Sequence, residues 1–68
     1  MHRDILNNKW KAMRPQLKVT WSKLTDDDLD RVAGRFSKFV DLLKEKYGYS
    51  QERAEEEVDR QIDAHEIF

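Results

Sequence analysis

Four aspartates fall within five positions, Asp26, Asp27, Asp28 and Asp30, and a cluster of carboxylates is the first chemistry this sequence offers. A calcium loop alternates its ligands around a turn glycine, whereas consecutive residues on a helix point apart, so this run is a poor cage for a cation. A helix start explains it better. Thr25 is placed to accept a hydrogen bond from the backbone N–H two or three residues on, and Asp28 is placed to return one. The aspartates then put negative charge at the positive end of the helix dipole. Thr25 and Asp28 therefore read as a capping box, and no metal or cofactor is expected.

Catalysis finds little else to work with. The only histidines, His2 and His65, stand near opposite ends, and there is no cysteine. No nucleophile sits beside a base, and no pair of carboxylates is set in contrasting surroundings. The chain is read as not an enzyme. Lys9, Lys11, Arg14, Lys18 and Lys23 are interspersed with Trp10 and Trp21, a pattern in which lysines could neutralise phosphates while an indole stacks on a base. These five are the candidate anion or nucleic-acid contacts. Both tryptophans share an apolar stripe with Ile5, Leu6, Met13, Leu17 and Leu24, however, and a stripe at this spacing belongs to a core. The same pattern would fit an interfacial membrane helix only if the segment left its own core.

The elements that position these residues follow from periodicity. The stripe predicts a helix near 4–13 and another near 15–23, with a break or kink at Pro15, which costs little at a first helical position and about 3 kcal/mol inside one. Leu29, Val32, Ala33, Phe36, Val40, Leu43 and Tyr47 recur on one face, predicting one long helix over 26–47 with Phe39 and Leu42 beside the stripe. Gly34 lies opposite, where close packing by another helix is expected. Gly48 is suited to a left-handed stop, and Ser50 to capping a last helix near 51–65. That helix carries Ala54, Val58, Ile62 and His65 inward, with Phe68 needed to dock its end. The class is all-α, a small bundle of about four helices in a single domain over 1–68.

At 68 residues, with 38% hydrophobic and 40% charged side chains, the chain folds around a small core without disulfides. Its net charge of −1 hides an asymmetry. Residues 1–24 carry six basic side chains against Asp4 alone, and residues 25–68 carry thirteen acidic against seven basic. The basic part either reaches an anionic partner or balances the acidic part within one fold. The N-terminus lacks a signal peptide's apolar stretch, and no run approaches the roughly 20 residues that cross a bilayer, so the chain is expected in the cytoplasm.

Trp10-Lys11, the run Lys23 to Leu29, Gly34, Lys46-Tyr47-Gly48-Tyr49-Ser50, and Ala54 with Glu55 and Glu57 together resemble the CsbD-like family of small bacterial stress-response proteins. The resemblance covers roughly residues 8–58 and implies a compact bundle of about four helices made under general stress. It implies no particular reaction. The sequence departs from the family at Pro15, where glycine is usual, and at Phe36 and Phe39, in a stretch commonly more polar. Phe39 and Leu42 are accordingly the candidate protein contacts, for an unknown partner or self-association, with nucleic-acid binding through the basic segment as the alternative.

Overall fold

The computed structural model describes residues 3–67, the side chains of Glu66 and Ile67 excepted, so the roles expected of His2 and Phe68 lie outside the described residues. Five helices follow one another: α1 (Asp4–Asn8), α2 (Trp10–Thr20), α3 (Asp26–Val32), α4 (Phe36–Tyr47) and α5 (Gln51–Ile67). The protein is an all-α bundle, and among the described residues there is no strand. Its helices share one apolar centre. Leu6, Met13, Leu17, Leu29, Phe39, Leu43, Val58 and Ile62 are wholly buried there, with Trp10, Trp21 and Leu24 close behind.

The first break falls at Lys9 and not at Pro15. Pro15 lies inside α2 with its ring at the surface. The apolar phase Trp10, Met13, Leu17 runs straight through it, and burial of that face holds the helix despite a missing backbone donor. Lys9 instead leaves helical geometry (φ −113°, ψ 22°), which lets α1 swing across the bundle while Leu6 and Trp10 both stay in the core. What α1 crosses is a second unexpected break. The long helix over 26–47 is divided into α3 and α4, because Ala33 (φ 50°, ψ 40°) and Gly34 (φ 80°) are both left-handed.

Gly34 meets both demands that glycine alone satisfies. A Cβ there would lie 2.8 Å from the Asn7 Cα and 3.3 Å from both the Leu6 carbonyl oxygen and the Trp10 Cβ. The close packing expected at Gly34 is thus real, but it is α1 backbone against a turn and not helix against helix. Arg35 closes the turn. Its side chain donates to the Val32 and Arg31 carbonyls at 3.2 and 2.8 Å, adding to the Arg35 N–H already on Val32 and satisfying the Arg31 carbonyl near the end of α3.

Local chemistry sets the other ends. The Asp28 N–H donates to the Thr25 hydroxyl at 3.1 Å while the Thr25 N–H donates to the Asp28 carboxylate at 3.2 Å. Gly48 (φ 67°) ends α4, with Lys44 and Lys46 in its last turn, and the Ser50 hydroxyl accepts from the Arg53 N–H at 3.1 Å. Two half-buried tyrosines join this corner to the loop before α3. The Lys23 N–H donates to the Tyr47 hydroxyl at 3.1 Å, and the Trp21 indole N–H reaches the Tyr49 hydroxyl at 3.4 Å.

Candidate functional site

Phe39 is the centre of the core and not a surface contact. Fully buried, it receives Trp10 and Trp21 edge-on, at centroid distances of 6.0 and 5.5 Å and interplanar angles of 82° and 86°. The division of the long helix is what turns it inward. Rotating α4 relative to α3 moves Phe39 into the core and leaves Phe36 half-buried, its ring under the Arg3 guanidinium at 4.0 Å. Leu42 stays half-buried, packed on the edge of the core.

Around Leu42 lies a groove between α3 and α4, lined by Asp28, Arg31, Val32, Lys38, Asp41, Leu42, Glu45 and Lys46. Val32 and Leu42 are its apolar lining, and the other lining residues carry both signs of charge. Asp28, 4% exposed, is the buried polar side chain among the described residues. Its carboxylate accepts from Arg31 at 3.2 Å and stands 3.4 Å from the Lys46 ammonium. Hydrogen bonding from the Thr25 backbone is the largest influence, and with help from the Thr25 hydroxyl and Lys46 it outweighs burial and holds the carboxyl below the ordinary carboxylate range. Asp28 thereby fixes three things at once: the start of α3, the end of α4 and one wall of the groove.

The basic residues of the first segment do not gather into one surface. Arg14 donates to Asp30 at 2.7 Å and lies 3.5 Å from Asp26, which Lys18 also reaches at 2.8 Å. Lys23 places its ammonium over the Tyr47 ring at 5.3 Å. Arg3 grips Asp59 with two hydrogen bonds of 3.3 and 3.2 Å. Lys9 and Lys11 take part in none of these pairs and line a shallow hollow with Asn7, Asn8, Trp10, Ala12 and Ala33. Both indoles are buried, so neither offers a face on which a base could stack. The aspartates diverge as well: Asp26 and Asp30 turn to α2, Asp28 turns inward, and no group of three metal-binding side chains forms among the described residues.

Two features had no counterpart in the sequence reading. Val19, on the outer side of α2, is 84% exposed, and its place off the apolar stripe was a signal for that. The Trp10 indole N–H is buried without a hydrogen-bond partner, which nothing in the sequence signals. Among the described residues no helix is long and apolar enough to cross a membrane.

A helical bundle of this size, with a cap-linked groove between α3 and α4, defines a class of small all-α proteins, and sequence comparison assigns the family within it. The chain is 45% identical over 58 residues to UPF0337 protein PA4738 of Pseudomonas aeruginosa, covering 85% of this chain and 89% of that one. It is 40% identical over 65 residues to UPF0337 protein ECA0631 of Pectobacterium atrosepticum, covering 96% and 94%. With UPF0337 protein YjbJ of Escherichia coli it shares 39% over 59 residues, covering 87% and 86%. The chain belongs to the UPF0337 family, to which CsbD-like proteins also belong. No family model matches the chain. No solved structure matches it either.

Proposed function

We propose that this protein is a non-enzymatic, stress-associated binding protein of the bacterial cytoplasm, which engages a protein partner through the α3–α4 groove around Leu42. The supporting observation is the groove's composition. A half-buried Leu42 and buried Val32 line it together with the charged Arg31, Lys38, Asp41, Glu45 and Lys46. Apolar and charged side chains combine in a protein contact, in which the charges select the partner and the apolar residues hold it. The association with stress rests on the resemblance to CsbD-like proteins.

The nucleic-acid reading is left with Lys9 and Lys11. Arg14, Lys18 and Lys23 already have partners within the fold, and two lysines support only weak, salt-sensitive attraction to phosphates.

The test is capture of partners from stressed and unstressed cells with the native chain, Leu42→Asp and, as a control on an unrelated exposed residue, Val19→Asp. A partner held by the native chain and Val19→Asp but lost with Leu42→Asp, at unchanged far-ultraviolet circular dichroism, is expected. Capture insensitive to Leu42→Asp would remove the groove from the proposal. Oligonucleotide affinity at about 150 mM salt that disappears on Lys9→Glu with Lys11→Glu would turn the reading to nucleic acid.

A further inference from the structure

The apolar pattern over 26–47 is that of one continuous helix, yet the chain bends in its middle, and this disagreement carries information. Val32 and Phe36 are four residues apart, so the stripe crosses the bend without a change of phase. Nothing in Ala33-Gly34-Arg35 forbids a helix, since a helix interior tolerates glycine at a modest cost. What the bend demands is less ordinary. Ala33 holds a left-handed conformation that L residues other than glycine, asparagine and aspartate rarely adopt. Arg35 must place its side chain on the Arg31 carbonyl, the acceptor that its own backbone N–H would take in a continuous helix.

A straight helix over 26–47 would be about 33 Å long, more than the 29 Å that the bundle extends along its longest principal axis. Straightening would also carry α4 and α5 away from α1 and α2, uncovering Trp10, Trp21 and Phe39. In a second copy opened in the same way those surfaces recur, complementary and equally uncovered.

We infer that Ala33–Gly34 is a hinge at which two copies of this chain exchange their α4–α5 halves, each straight α3–α4 helix bridging the pair. In the exchanged dimer, α4 and α5 of one copy pack on α1, α2 and α3 of the other. Core contacts of α4 and α5 with α1 and α2 are remade between chains, those within each half stay within one chain, and the left-handed conformation at Ala33 is released. Gly34 keeps the balance toward the monomer. It accepts the positive φ of the bend, leaves room for the Asn7 backbone, and weakens the straight alternative.

Substitutions at the hinge therefore act in opposite directions according to whether they favour the left-handed bend or the straight helix. Gly34→Ala places a Cβ against Asn7 in the bent form but favours the straight helix. Ala33→Ile reaches the same end through the backbone of Ala33 itself, because a β-branched residue resists the left-handed region more than alanine does. Ala33→Gly relaxes the bend and penalises the helix. The full-length chain and each variant are unfolded, refolded at high concentration and examined by sedimentation equilibrium. Gly34→Ala and Ala33→Ile are expected to tighten dimerisation by more than about tenfold relative to the native chain, and Ala33→Gly is expected to remain monomeric. Mixed dimers of two differently labelled batches should form after joint refolding and not on simple mixing, since exchange requires the bundle to open. Gly34→Ala and Ala33→Ile that are both monomeric or unfolded at every concentration would overturn the hinge. So would a dimer that forms equally with Ala33→Gly, or one abolished by Leu42→Asp, which would place self-association in the α3–α4 groove.

Discussion

Asp28 concentrates more of the fold than any other polar side chain. Its carboxylate answers the Thr25 N–H, pairs with Arg31 and Lys46, and is almost sealed from water. Since folding depresses its pKa, with hydrogen bonding from Thr25 as the largest cause, its contribution is fully present above the unfolded value of about 3.9 and fades as pH falls through the folded one. Asp28→Asn keeps an acceptor for Thr25 but loses the ionic partners, and should cost about 1–2 kcal/mol near pH 7. Urea unfolding of both proteins near pH 7 and then at successively more acid pH should show that difference shrinking as pH falls through the depressed native value. A difference that persists in acid would mean the amide disturbs packing and the charge matters little.

Among the elements, α2 carries a defect that burial overrides. Pro15 offers no N–H to the carbonyl four residues earlier, yet Met13 and Leu17 on either side of it are wholly buried, and Gln16 holds the helix to α5 by donating to the Gln61 carbonyl and side-chain oxygens at 3.0 and 2.7 Å. The ring faces solvent, so nothing in the core requires it. Pro15→Ala should restore the backbone bond and stabilise the protein by about 1–3 kcal/mol, after allowing for the greater freedom that alanine gives the unfolded chain. A raised denaturation midpoint at unchanged slope is the measurement. A lower midpoint would show that the proline stiffens the unfolded chain more than it strains the helix.

Over the whole molecule, the basic first segment and the acidic remainder meet inside one bundle. Arg14 and Lys18 of α2 face Asp26 and Asp30 of α3, and Arg3 reaches Asp59 of α5 and Glu55 at 3.8 Å. These pairs lie at the surface, so each is worth roughly 0.2–1 kcal/mol and weakens as salt shortens the reach of charge from about 30 Å at 0.01 M to about 8 Å at 0.15 M. Stability against urea should accordingly fall by about 1 kcal/mol over that range, with Arg14→Gln flattening the slope. Stability that rises with salt would mean that repulsion among the acidic side chains of α5 outweighs these attractions.

What the sequence determined by itself is what a few neighbouring residues decide. The Thr25–Asp28 box, the left-handed stop at Gly48 and the Ser50 cap were legible because each is settled within one helical turn. The all-α class and the inward tryptophans followed from apolar spacing alone. Of the groove, Leu42 was legible from its place beside the stripe, but its charged lining was not, since Arg31 and Lys46 are fifteen positions apart and meet only around Asp28. The tertiary structure decided where the chain bends. Pro15 is the strongest local breaker in the sequence, but burial of the α2 face overrides it. Ala33 and Gly34 lie in a pattern that favours helix, but the passage of α1 over Gly34 and the seating of Phe39 between two indoles require a turn there. A bend of that kind stabilises contacts between residues 18 to 29 positions apart, and a local pattern contains no record of them.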